Sequence, residues 1–314
     1  MAHILDIEQQ AMIIRRLEGV INSRLFTGKA IVLLGPRQTG KTTLIHNIVR
    51  NVQDVLVLTG DDSDTATLLS LANTEVMQSI IGQNKIVFID EAQQIEKIGR
   101  TAKIIVDHFK GVQLILSGSS SLGLRNVLAH SLAGRKWEYL MYPVVWSELE
   151  QTYGYFKSRQ QLERRVIYGM YPDIITHVTE ERERLKQLVN SYLYKKPDIF
   201  EELLKVLALK MCKELSIRDV SKSLHADKNT LNNCIETLEK DLIIFTQESQ
   251  SKLKRNKWRS FKRVFFWDNG IRNAILSNFN PLSKRKDEDD LWENFQTSDN
   301  MKKNNWIKPN IIQL

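Results

Sequence analysis

The chain has 314 residues and a mass of 36.5 kDa, with 42% hydrophobic and 26% charged residues, the balance of a folded protein rather than a disordered or fibrous one. It has no run of eighteen apolar residues and no basic-then-apolar start, so neither a membrane span nor a secretory signal is expected. Cys212 and Cys234 are too few for a disulfide framework or a four-thiolate zinc site and read as reduced thiols of a cytoplasmic protein.

The net charge of +8 is unevenly spread. Residues 1–150 carry 15 Lys/Arg against 15 Asp/Glu, whereas residues 151–314 carry 30 against 22, so the whole excess lies in the second half. A polyanion or an acidic protein partner is therefore expected there.

In chain order, Ile31–Leu34, Val55–Leu58, Ile86–Ile89 and Leu114–Leu116 are short, β-branched-rich apolar runs with room for helices between them. A fifth candidate strand is 137–142. Runs apolar on both faces, alternating with helices, predict an α/β fold: a parallel sheet covered by helices on both sides. After Pro143 the chain reads as mostly helical to about residue 214, with a break at Gly169-Met170-Tyr171-Pro172. From 215 follow a short helix (217–224), a tight turn, a second helix (230–240) and two strands (242–246 and 263–267), the order of a winged helix. The expected organisation is an α/β domain at 1–150, a helical connection at 151–214, a winged helix at 215–275 and a charged tail at 276–314. Within the tail, the run Lys284–Asp290 reads as a solvated, irregular loop.

Gly35-Pro36-Arg37-Gln38-Thr39-Gly40-Lys41-Thr42 fits G-x-x-x-x-G-K-[ST] between a predicted strand and a predicted helix (42–50). Such a loop wraps backbone N–H groups around phosphate oxygens and adds the partial positive charge of a helix start; Thr43 continues it. Lys41 is assigned to the β- and γ-phosphates, and the Thr42 hydroxyl to Mg²⁺. Forty-eight residues after Thr42 the strand 86–89 ends in Asp90-Glu91. Asp90 is expected to hold the metal through water and Glu91 to deprotonate the attacking water, which argues for hydrolysis. Ser117 follows the 114–116 strand and could contact the γ-phosphate, while Arg135 could stabilise transition-state charge within one subunit or across an interface between copies. Arg15, Arg16 and Arg37 are further cations without an assigned role. Asn84-Lys85-Ile86-Val87 lacks the aspartate of a guanine-reading element, so ATP is the expected nucleotide.

In the second half, Lys228, Asn229 and Asn232 begin the second helix of the winged-helix pattern, where base edges would be met. Seven of the twelve residues 252–263 are basic; Lys254, Arg255, Lys257 and Arg259 are the phosphate-contact candidates, interleaved with Trp258 and Phe261. A protein-packing role is the alternative, since Leu231, Ile235 and Leu238 form an apolar face and Asp227, Glu236 and Glu239 oppose a polyanion.

Taken together, Leu34–Leu44, Leu58-Thr59-Gly60-Asp61-Asp62, Phe88–Ile95, Ser117–Ser120, Leu132–Arg135, Tyr168–Pro172, Phe266–Asn273 and Leu291–Phe295 give the chain a resemblance to a prokaryotic family of AAA-type P-loop ATPases. That family carries a C-terminal winged helix followed by a restriction-endonuclease-like region of unknown function. The resemblance implies ATP binding, with Ser117 as sensor and Arg135 as candidate finger. The chain departs from the family in its short connection at Lys195–Asp198 and in ending near where the nuclease-like sheet would begin. No acid pair for strand cleavage follows, so the expectation is a truncated member, an ATPase without nuclease activity. Two readings of function stay open: an ATPase coupled to DNA or a partner protein, and a nucleotide-gated interaction switch with little hydrolysis.

Overall fold

The computed structural model describes residues 12–119, 122–193, 196–252 and 258–307. The first part runs α1 (Arg16–Asn22), β1 (Ala30–Leu34), α2 (Lys41–Val49), β2 (Val55–Thr59), α3 (Ser63–Ser70), α4 (Thr74–Ile81), β3 (Ile86–Asp90), α5 (Ile98–His108), β4 (Gln113–Gly118), α6 (Leu122–Ser131) and β5 (Lys136–Leu140). The five strands form one parallel sheet in the order β2-β3-β4-β1-β5. All five residues of β1 are buried because alternate side chains enter two separate cores. Ile31 and Leu33 pack with α1 and α2, and Val32 and Leu34 pack with the α3–α6 layer. This explains why the strand reads as one unbroken apolar run.

The α7 (Trp146–Tyr153), α8 (Tyr155–Gln160), α9 (Leu162–Tyr168), α10 (Pro172–Thr176) and α11 (Glu181–Leu193) helices follow. The break expected at 169–172 separates α9 from α10, with Pro172 at the first position of α10. Then come α12 (Asp198–Leu209), β6 (Glu214–Leu215), α13 (Ile217–Ser223), α14 (Lys228–Lys240), β7 (Ile244–Lys252), β8 (Trp258–Phe266), α15 (Asn269–Ile275) and α16 (Glu288–Ile307). The second sheet is antiparallel with order β6-β8-β7. Helix α14 begins two residues before the expected start because the Asp227 carboxylate caps it, accepting from the N–H groups of Asn229 and Thr230 at 2.8 and 3.2 Å.

One hydrophobic core runs from Tyr142 through the α9–α12 helices and the second sheet to Leu291 and Phe295, crossing the boundaries expected at 214/215 and 275/276. The charged tail expected at 276–314, irregular from Asn280, is corrected where it is described: α16 is a 20-residue helix whose Leu291 and Asn294 are fully buried. Asn294 supplies the reason. Its amide accepts from Phe266 N at 2.8 Å and donates to Phe266 O at 2.9 Å, acting on β8 as a further strand would. The Lys284–Asp290 run is not simply solvated either: the Arg285 side chain is buried and bonds Asp287, which also meets Arg272. Among the described residues no helix is long and apolar enough to cross a membrane.

Candidate functional site

The phosphate-loop sequence leaves the C-terminal end of β1 and returns into α2. Gly35 runs so close to the carbonyl of Met141 that a Cβ would overlap it, which is why a glycine must stand there. Thr39 is buried and its hydroxyl donates to Pro36 O at 2.9 Å, pinning the curve of the loop. Lys41 is only 5% exposed; its Nζ donates to Gly35 O at 3.0 Å and Pro36 O at 2.9 Å. Burial pulls its pKa below the usual lysine value; Glu91 and Asp90 oppose that shift, and Arg37 adds to it. Arg37, Gln38 and Thr43 are exposed on the loop and first helical turn, Pro36 is buried, and Gly40 precedes α2.

Asp90, the last residue of β3, gathers three donors. Thr42 Oγ1 donates to its Oδ2 at 2.6 Å, Glu91 N donates to Oδ1 at 3.0 Å, and the buried Ser117 hydroxyl donates to Oδ1. Ser117 therefore turns toward the acid of the neighbouring strand. Glu91 adopts a left-handed backbone (φ 46°), directing the chain into the short turn Ala92–Gln94, and Gln93 Nε2 donates to its Oε2. Lys41, Thr42, Asp90, Glu91 and Ser117 thus converge at one end of the parallel sheet, where loops after β1, β3 and β4 meet.

Arg135 does not join them. It precedes β5, and its carbonyl accepts from Ala30 N at 2.9 Å at the opposite end of β1, about 15 Å away at the usual strand rise. Its guanidinium, 47% exposed, meets Asp107 at 3.4 Å. The finger role within one chain is corrected by this topology.

The residue whose role sequence reasoning left unassigned is Arg15. It is 6% exposed, and each arm of its guanidinium reaches a different element: Nη1 to Thr39 O at 2.8 Å, Nη2 to Tyr142 O at 2.6 Å, and Nε to Glu148 Oε2 at 3.2 Å. Glu148 is fully buried and also accepts from the N–H groups of Arg16 (2.9 Å) and Val145 (3.2 Å). The phosphate loop is thereby bolted to the start of α7. No sequence motif announces such a clamp; only the buried charge in three dimensions does.

Beside the loop opens a cleft of about 680 Å³ bounded by Ile13 from the N-terminal segment, Thr43 and Asn47 on one face of α2, and Pro172 and Arg184 from the helical region. At its wall Asn47 donates to Glu18 at 2.8 Å, and Arg184 grips Asp173 with two 2.9 Å bonds.

In the second half, Lys228, Asn229 and Asn232 are exposed on the first turns of α14. Arg259 lies on β8 in register with Ser251. Lys254, Arg255 and Lys257 lie outside the described residues. The Asp268–Asn273 stretch is structural: Asp268 caps α15 and accepts Met170 N at 2.7 Å, Asn269 Nδ2 reaches Val166 O at 2.8 Å, and Asn273 Nδ2 reaches Ile167 O at 2.7 Å.

This arrangement is a five-stranded parallel sheet with helices and a P-loop sequence between its first strand and the following helix. Residues 27–150 match the family model described as an AAA domain, and residues 159–282 match a domain of unknown function, DUF8612, which spans the same boundaries that the core crosses. Among solved structures the chain is similar to the Walker-type ATPase PABY2304 of Pyrococcus abyssi, with 14% identity and a TM-score of 0.59 over 84% of this chain and 96% of that one. It also matches the STAND (signal transduction ATPase with numerous domains) protein PH0952 of Pyrococcus horikoshii, which has a tetratricopeptide repeat sensor, at 11% identity and a TM-score of 0.38 over 91% and 45% of the two chains. No curated protein sequence matches. Residues 27–150 thus match an AAA domain, and the chain shares its fold with the first of these structures.

Proposed function

We propose that this protein is a Mg²⁺-dependent ATPase whose nucleotide state is coupled to a C-terminal winged helix that contacts DNA. The observation carrying the reading is the meeting of Lys41, Thr42, Asp90 and Glu91 at one sheet end. In this reading the loop amides and Lys41 bind the phosphates of ATP, a charged acceptor replacing the loop carbonyls that Lys41 otherwise holds. Thr42 Oγ1 and Asp90 Oδ2, hard oxygen donors 2.6 Å apart beside the loop, suit Mg²⁺, which would neutralise charge on the phosphate oxygens when bound. Glu91 takes a proton from water as its oxygen attacks the γ-phosphorus in line; the bond to the bridging oxygen breaks, and ADP and phosphate leave. The cleft beside α2 takes the nucleoside, with Asn47 and Glu18 at its wall.

Coupling would run through Arg15, which joins Thr39 of the loop to Glu148 of α7. Two helices followed by a long hairpin, with a short first strand giving the order β6-β8-β7, support the winged-helix reading. The exposed Lys228, Asn229 and Asn232 would meet base edges, and the basic 252–263 stretch would lie along phosphates. A second reading, a nucleotide-gated switch gripping a protein, draws on the exposed Asp219, Asp227 and Glu236 of the same unit.

ATP turnover by the wild type, Lys41→Ala and Glu91→Gln tests the first part. Both variants should be slow, with Glu91→Gln still binding ATP; equal rates for all three reject it. DNA affinity against salt tests the second: a steep negative log–log slope supports DNA, whereas negligible affinity at physiological salt favours the protein switch.

A further inference from the structure

Gln93 meets Glu91 with chemistry that fits on both sides. Its Nε2 donates to Glu91 Oε2, and its Oε1 accepts from Ser119 N at 3.3 Å. These two partners leave one orientation for the amide, since a carboxylate must be met by the NH₂ end and a backbone N–H by the oxygen. A glutamate here would put like charge against Glu91, and a hydrocarbon would offer neither bond. The backbone is shaped for this side chain: a Cβ on Gly118 would overlap Gln93 Oε1 and stand 2.6 Å from Leu124 Cδ2. The turn beginning at Glu91 is anchored by the fully buried Ala92, which brings the side chains of residues 91 and 93 together.

A carboxylate has two oxygens. Engaging Oε2 fixes the rotamer of Glu91 while Oε1 stays able to accept a proton. The same amide ties Glu91 to Ser119, just past the end of β4, the strand whose Ser117 hydroxyl sits on Asp90. The geometry points to Gln93 as a positioning residue that aims Glu91 at the attacking water and keeps it in register with the metal-side acid; this rests on the ATPase reading above. General bases contribute roughly 10²–10⁴ in rate, so a loosened one forfeits part of that factor.

The experiment compares ATP hydrolysis and ATP–Mg²⁺ binding for the full-length wild type, Glu91→Gln, Gln93→Met, Gln93→Glu and the Glu91→Gln/Gln93→Met double variant. Both Gln93 variants should lose about tenfold or more in kcat, while KM and ATP–Mg²⁺ affinity stay within about twofold. In the Glu91→Gln background, Gln93→Met should cost nothing further. Unchanged kcat in the Gln93 variants, affinity falling in step with kcat, or an additive loss in the double variant would each overturn the proposal. If the wild type is fast, Glu91→Gln slow and the Gln93 variants unaffected, the tether alone falls; if the wild type is no faster than Glu91→Gln, the ATPase reading falls and takes the tether with it.

Discussion

Replacing Arg15 by methionine keeps the bulk of the side chain and removes its charge from a site that is 6% exposed on the arginine and closed on Glu148. Deleting one partner of a buried ion pair costs about 3–5 kcal/mol, because the survivor is left charged in a poorly polarisable interior. Glu148 keeps two N–H donors, from Arg16 and Val145, which places the expected loss near the lower end, about 3 kcal/mol. Urea unfolding followed by circular dichroism should move its midpoint down by about 1 M, given slopes near 3 kcal/mol per molar for chains at the upper end of the small-protein range. The second substitution, Glu148→Gln in the Arg15→Met background, neutralises the stranded charge and keeps an acceptor for one of the two N–H groups, which meet different oxygens, so it should restore about 1 kcal/mol. ATP affinity should stay weakened in both, since neither variant restores the bond to Thr39 O. A single variant as stable as the wild type, or a double variant no better than the single, would refute the buried-charge argument.

Other consequences are as direct. Burial lowers the pKa of Lys41 from 10.5, and the protonated amine is the form that grips phosphate; ATP affinity by calorimetry should therefore hold at neutral pH and fall as pH rises, beginning below the usual lysine range. Burial would raise the Asp287 carboxyl, but bonds from Arg285 and Arg272 win and hold it at about 2, so the stability it contributes is complete above the ordinary carboxylate pKa and is lost as pH falls from about 4 toward 2. With its side chain 22% exposed, Asp287→Asn should cost about 1–2 kcal/mol at pH 7 and flatten the acid limb of an unfolding titration. Arg135→Ala should leave ATP affinity and the rate per monomer unchanged when assayed at dilution, because the guanidinium stands at the far end of the sheet; a loss of rate there would contradict the topology.

The parallel sheet was legible because its strands are short runs buried on both faces, and the phosphate loop because its chemistry fixes residue types at fixed spacing. The strand expected at 137–142 ends instead at Leu140: Met141 N still bonds Leu34 O at 2.7 Å, but Met141 and Tyr142 then turn away over Gly35 and Arg15. Helix α16 escaped notice for a physical reason. Its buried positions include Asn294, Ser298 and Lys302, so the polar residues that a periodicity argument sends to solvent point inward here. The Lys302 amine, its pKa lowered by burial, lies in the field of Asp268, Asp299 and Glu148, partners drawn from widely separated parts of the chain. Arg15 was unreadable for the same cause: its acceptors are 24, 127 and 133 residues away.

The strand order has a bearing on how the protein is made. β1, which carries the phosphate loop, sits between β4 and β5, so its hydrogen-bonding edges find no neighbour until about 80 and then about 105 further residues have been synthesised. At translation speeds of about 5–20 residues per second, the most apolar strand waits several seconds with both sides open. An exposed strand of that kind is a template for pairing with other nascent chains, so yield on overexpression should respond to slower synthesis and to holdase chaperones more than to anything done to the finished sheet.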